Sequence, residues 1–269
     1  MMVFELLEYH FFQNAVMVAV LVSIASGIVG AYITVKRMSL ITGSIAHGAF
    51  GGLGAGYFLG INPFAGAVAF SILSAFAITY AHEKARKRLD ALLSLIWAFG
   101  MALGLLFIFM TPGYAGDLFS YLFGNILLVS NFDLILTAAL VFAVVLCTAL
   151  FYNLFLSVSF DEEYAKVSNM PVNFAYLAMF GLIALVVVMV IQVVGIVLMI
   201  GLLTVPAATA QLFERTIKRI MALAILISLA CSLSGLVLAY YVDFPPGPLI
   251  ILLISLVYMI GIAYKRLLK

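Results

Sequence analysis

Leu185-Val186-Val187-Val188-Met189-Val190-Ile191-Gln192-Val193-Val194-Gly195-Ile196-Val197-Leu198-Met199-Ile200 lies inside a longer apolar run, residues 174–210, that holds no charge and one amide, Gln192. As a single helix this run would be roughly 55 Å long at about 1.5 Å per residue, far beyond a hydrocarbon core of about 30 Å. Lys166 and Arg215 flank it. Basic loops collect on one side of a membrane, so the run must cross an even number of times. The chain is therefore expected to turn back near Gln192-Val193-Val194-Gly195. Gln192 would satisfy backbone groups in the turn, and Gly195 would supply dihedrals closed to other residues.

The rest of the chain reads the same way. It has 269 residues, 67% of them hydrophobic and 9% charged, with a mean hydropathy of +1.28. Such a composition leaves no room for a soluble unit, and 1–269 reads as one integral membrane domain. Apolar runs near 12–35, 39–60, 64–81, 91–110, 132–153, 173–191, 193–206, 220–241 and 247–264 predict an all-α polytopic bundle of about nine crossings, eight being the other count. The runs are continuous rather than alternating, which excludes a transmembrane β-barrel. The basic residues fall at Lys36/Arg37, Lys84 to Arg88, Lys166, Arg215 to Arg219 and Lys265 to Lys269, all on one side of that topology. The other side carries Glu5, Glu8, Asp117, Asp133 and Asp243 and no Lys or Arg. The expected orientation is N-terminus out and C-terminus in.

Several functions drop out. The first apolar run is too long for a cleaved signal peptide, with Glu5, Glu8 and His10 where a basic region would stand. Cys147 and Cys231 lie in apolar runs without metal-type spacing and read as packing residues. No Gly-Lys dipeptide occurs, so the chain has no Walker A loop to hydrolyse ATP. The basic clusters follow from topology alone and give no nucleic-acid groove.

Four segments carry the functional signal. In Ser44-Ile45-Ala46-His47-Gly48-Ala49-Phe50-Gly51-Gly52 an ionisable side chain stands inside an apolar run, which is costly in a membrane and points to function. Gly48, Gly52, Gly56 and Gly60 recur every four residues, a ridge for close helix packing. His47 projects beside it, either hydrogen-bonded to a neighbour or lining a route for a divalent metal ion. The second segment is Gly201-Leu202-Leu203-Thr204-Val205-Pro206-Ala207-Ala208-Thr209-Ala210-Gln211. A helix should kink or restart at Pro206. Residues 207–219, with Leu212, Ile217 and Ile220 between Glu214, Arg215, Lys218 and Arg219, suit either a solvated basic loop set by topology or a short amphipathic helix able to dock into a partner's groove. The third segment is Asp161 to Pro171, a second cytoplasmic helix with acidic residues at its start and Asn169 placed for a left-handed close. The fourth, Asp243-Phe244-Pro245-Pro246-Gly247-Pro248, is a rigid outer turn, and the turn-rich stretch 111–129 is expected to dip into the bilayer.

Together these segments resemble the permease subunits of zinc, manganese and iron ABC importers, the ZnuB-like family. The matching pieces are Arg37-Met38-Ser39, Ala46-His47, Asn62-Pro63-Phe64, Asp117 through Tyr121-Leu122-Phe123-Gly124-Asn125, Gly201 to Ala210, and Asp243 to Pro248. The resemblance spans nearly the whole chain. It implies a homodimeric inner-membrane permease, related in architecture to the importers of cobalamin and siderophores. A separate ABC ATPase would drive it and an extracytoplasmic metal-binding protein would supply it. The chain would hold no tight cofactor, the divalent metal (zinc or manganese foremost) being cargo. Coupling to the ATPase is expected at Pro206, Ala207, Ala208, Thr209, Gln211, Glu214 and Arg215, within 207–219. Asp243, Pro246, Gly247 and Pro248 would form the outer-face turn. Relatives often carry Asp four residues before the histidine, where this chain has Gly43, so the resemblance makes His47 a transient pathway ligand.

Three other readings fit less well. A siderophore or cobalamin permease would not call for a pathway histidine. A secondary cation transporter needs intramembrane carboxylates, and here every Asp and Glu stands at a loop or a helix end. An intramembrane enzyme would need a nucleophile or second ligand near His47.

Overall fold

A computed structural model describes residues 8–84, 89–111, 124 and 126–267. Glu5, residues 85–88, most of the 111–125 outer stretch with Asp117, and the last two residues lie outside the described set. Among the described residues every regular element is helical. The long helices are α1 (His10–Val35), α2 (Ser39–Phe58), α3 (Pro63–Lys84), α4 (Leu89–Met110), α5 (Asn131–Leu150), α8 (Val172–Val194), α9 (Ile196–Phe213), α10 (Ile217–Val242) and α11 (Pro246–Leu267). Two short helices, α6 (Tyr152–Phe160) and α7 (Glu162–Val167), follow α5, and a 3₁₀ turn at Ile126–Leu128 precedes it.

Seven helices are long and apolar enough to cross a membrane: α1, α3, α4, α5, α8, α10 and α11. The glycine-rich α2 and the shorter α9 do not meet that measure. The centre is α8, 72% buried along its apolar window, whereas α4 is 17% buried and peripheral. Phe180, Ile183, Met189 and Ile191 of α8 are all but fully buried, and Phe99, Phe109 and Leu105 of α4 are exposed. A helix greasy on all sides is at home at the centre or in lipid.

Side-chain contacts sort the chain into two ends. At one, Asn14 of α1 donates to Asn131 Oδ1 (2.9 Å) and to the Val129 carbonyl (3.3 Å), and Gln192 near the end of α8 donates to Asp133 Oδ1 (2.5 Å). At the other, Lys36 after α1 reaches Tyr176 of α8, His82 of α3 packs on the same ring, Lys218 of α10 covers Tyr152, and Phe213 of α9 meets Tyr264 of α11. Every described Lys and Arg belongs to this second end, the basic end, and Asp133 and Asp243 stand at the first. Successive long helices therefore alternate in direction.

The reversal at Gly195 follows from the same contacts. Gly195 has φ 88° and ψ 162° and is the only residue between α8 and α9. Such a backbone is open to glycine alone. Gln192 does not serve the turn as expected; it is spent on the Asp133 carboxylate of α5. Gly124 (φ 69°) lies against the Val194–Gly195 peptide, where a Cβ would overlap the backbone.

Three expectations need correction. The helix neither breaks nor restarts at Pro206, because α9 runs unbroken from Ile196 to Phe213. The helix is closely packed on both sides of this point: Gly30 of α1 lets backbone approach the Leu203 carbonyl, and Ala207 and Ala210 are fully buried. Residues 207–219 are thus no separate amphipathic helix. They are the end of α9, a link at Glu214–Thr216, and the first turn of α10. The outer turn is shorter than expected as well. Asp243 closes α10 in the left-handed region (φ 56°), and Pro246, Gly247 and Pro248 already form the first turn of α11, where proline's missing N–H costs nothing.

Candidate functional site

Helix α2 lies between α3 and α4, and glycine makes both contacts. Towards α3, Gly52 faces the Gly66 carbonyl and Gly56 faces Pro63. Towards α4, a Cβ on Gly51 would stand 2.9 Å from the Gly100 carbonyl oxygen, and one on Gly54 would stand 2.6 Å from that of Gly104. The four-residue ridge is real up to Gly56. Gly60 lies beyond the helix at φ 67° with nothing within 4 Å of a Cβ, so it shapes the turn. Because protein covers both flanks, α2 needs little hydropathy of its own.

His47 faces α4, where its ring stacks on the indole of Trp97 at 4.1 Å between centroids and 25° between planes. Gly43, one turn earlier, lies under the same indole: a Cβ there would be 3.0 Å from Cη2, 3.1 Å from Cε3 and closer still to Cζ3 of Trp97. The imidazole Nδ1 is buried and has no hydrogen-bond partner among the described residues. Among those residues no group of three or more His, Cys, Asp or Glu side chains is arranged to hold a metal ion. His47 thus presents a buried, unpartnered imidazole nitrogen in an apolar setting. Sequence reasoning missed Trp97. The available signal was its being the chain's only tryptophan.

At the end opposite the basic one Ser130 and Asp133 form a capping box on α5, with Ser130 N–H and Oγ donating to Asp133 Oδ2 (3.1 and 2.7 Å) and Asp133 N–H donating to Ser130 Oγ (3.2 Å). Asp133 is therefore committed to its own helix and to Gln192. Ser130→Ala should cost about 1 kcal/mol, read as a lowered thermal midpoint in detergent.

At the basic end the residues assigned to coupling are divided. Ala207 and Thr209 are buried (0% and 2% exposed), as is Pro206. Gln211 and Arg215 are exposed and Glu214 is half-buried, with Arg219 3.7 Å from the Glu214 carboxylate. The α7 corner lies on the same face. Asp161 caps α7 through Tyr164 N–H (2.8 Å), and Asn169 closes it at φ 54°, both as the sequence led one to expect. Tyr164 (59%) and Val167 (82%) stand in the open. Beside them an open groove of about 410 Å³ is lined by Lys166, Asn169, Met170, Pro171, Val172, Asn173 and Phe174. At the outer turn Asp243 is exposed, while Pro246 and Gly247 are buried against the bundle.

Known proteins match this chain along its length. The family model described as ABC 3 transport family covers residues 8–265. An uncharacterized membrane protein of Synechocystis is 41% identical over 262 residues, 97% of this chain and 93% of that protein. The manganese import system permease protein ScaB of Streptococcus gordonii is 32% identical over 254 residues, 94% of this chain and 91% of that one. Among solved structures, PsaBC from Streptococcus pneumoniae in complex with Fab superposes with a TM-score of 0.86 at 34% identity, over 96% of this chain and 93% of that one.

Proposed function

The chain belongs to the ABC 3 transport family, and from that premise we infer that it is the membrane-spanning permease of an ATP-driven importer of divalent metal ions. The observation that carries this is the match over residues 8–265, on a bundle whose helices are apolar enough to cross a membrane. The permease is a multi-pass membrane protein and not itself an enzyme. Chemical energy comes from a separate ABC ATPase, and alternating access of the bundle moves the ion.

We further propose nine crossings in the inner membrane, counting α2 and α9 with the seven apolar helices. The glycine contacts of α2 and the reversal at Gly195 support this count. With the basic end in the cytoplasm, the N-terminus lies outside and the C-terminus inside. The outer face, with Asp133, Asp243 and the turn leading to Pro246, Gly247 and Pro248, receives an extracytoplasmic metal-binding protein. Two copies form the working unit. The ATPase meets the exposed part of 207–219 (Gln211, Glu214, Arg215) together with the α7 corner and its groove. Pro206, Ala207, Ala208 and Thr209 act behind that surface as the stem that carries motion into α9. The cargo is zinc or manganese, with His47 its transient contact, and the chain holds no tight cofactor.

The test is reconstitution in liposomes with the partner ATPase and binding protein. The full complex should import manganese or zinc only with ATP, and His47→Ala should lower uptake while assembly persists. Metal transport by the isolated chain would overturn the reading, and normal uptake by His47→Ala would return His47 to a packing role.

A further inference from the structure

One phenol at the basic end ties together elements far apart in sequence. Tyr176, near the start of α8, is 3% exposed. Its hydroxyl accepts from Lys36 Nζ (2.8 Å) and donates to Glu162 Oε2 (2.8 Å). The other oxygen of Glu162 pairs with Lys166 (2.7 Å). His82 of α3 packs on the Tyr176 ring at 4.1 Å, and Phe180 lies 5.7 Å from it. The hydroxyl is thus used as both donor and acceptor, between an ammonium and a carboxylate.

Both ends of this chain of contacts are stiff. Helix α7 is a capped unit: Asp161 closes its start, and Met170 N–H bonds back to the Ala165 carbonyl (2.9 Å) at its end. On the other side Lys36 sits in a link with no slack. Its N–H bonds to the Tyr32 carbonyl (3.0 Å), Arg37 is left-handed at φ 57°, and Met38 N–H bonds to the Ile33 carbonyl (2.8 Å). Helix α2, which bears His47, begins at the next residue, Ser39. A shift of α7 relative to α8 must therefore either break the Glu162–Tyr176–Lys36 bridge or drag the start of α2 with it.

We propose that Tyr176 is a positioning residue that transmits movement of the α7 corner, through Glu162 and Lys36, to the helix bearing His47. This rests on the reading that an ATPase acts on the α7 corner. The hydroxyl acts as a latch: it keeps α7, the α1–α2 link and α8 moving as one body, so that work done at the cytoplasmic face reaches the ion route.

The experiment uses the reconstituted complex of permease, ATPase and binding protein, supplied with manganese or zinc ions, and measures ions imported per ATP hydrolysed. Tyr176→Phe keeps the ring stack and deletes only the hydroxyl. The expected result is a fall in that ratio of at least about fivefold, the lower end of coupling between linked sites, with basal hydrolysis and ATPase association unchanged. Lys36→Met, which keeps most of the stem, should lower the ratio alike, and the double variant should be no worse than either single one. An unchanged ratio in Tyr176→Phe overturns the proposal. So does a loss of import that merely tracks a loss of folded protein. Where Tyr176→Phe does not assemble, the Lys36→Met ratio decides in the same way. Wild-type complex that imports neither metal with ATP removes the importer reading and this proposal together, whereas wild-type import with a normal Tyr176→Phe ratio removes the proposal alone.

Discussion

Gly100→Val is expected to unfold the α2–α4 pair, lowering stability by roughly 3 kcal/mol or more, the upper range for overpacking a rigid core. A Cβ at Gly100 would stand 2.7 Å from both the Gly48 Cα and the His47 carbonyl carbon, and closer still to the His47 carbonyl oxygen. All of these are backbone atoms within a helix, so no rotamer change can relieve the overlap. The helices must separate, and the contacts at Gly51 and Gly54 loosen with them. Trp97 is one turn away and is the chain's only tryptophan. Its fluorescence during thermal unfolding in detergent therefore reports this interface directly. Gly181→Ala is the control, because a Cβ there meets nothing within 4 Å, and its effect should stay within about 0.5 kcal/mol. Equal midpoints for the two variants would refute the packing account.

Gly43→Asp should be nearly as damaging, by roughly 3 kcal/mol, because it drives a side chain into the Trp97 indole and strands a carboxylate among buried helices. Trp97→Ala alone should cost about 2 kcal/mol through the lost stacking and packing around His47. The pair should not add. Removing the indole makes room for the carboxylate, and a favourable coupling of about 1–2 kcal/mol is expected in the double-mutant cycle. Circular dichroism melts of the four proteins measure it. The double variant would also place a carboxylate one helical turn from the His47 imidazole, so it should bind manganese more tightly than the parent chain in a direct binding titration. Strict additivity would mean that the Gly43 vacancy and Trp97 are unrelated.

Much of the fold was legible along the chain. The helix stops at Gly195 and Asn169, the acidic start of α7 and the gathering of Lys36, Lys166, Lys218 and Lys265 at one end were all readable from local sequence. The candidate site was legible only in part. His47 was conspicuous as an ionisable side chain in an apolar run, yet its partner Trp97 comes from another helix and shares no pattern with it. Tyr176 gave no signal at all, since one tyrosine near a membrane boundary is ordinary.

The two kinds of information have different physical origins. Hydropathy, charge and the steric rules for glycine, proline and asparagine act within a few residues, and a bilayer reads them in order along the chain. They determined by themselves that this is a helical membrane protein, where its basic end lies, and that the chain reverses at Gly195. Packing is set by atoms brought from elsewhere. Only the tertiary structure decided that α9 runs unbroken through Pro206, packed closely against α1 at Gly30. It alone gave Gln192 to Asp133 rather than to its own turn, and laid Trp97 across Gly43 and His47.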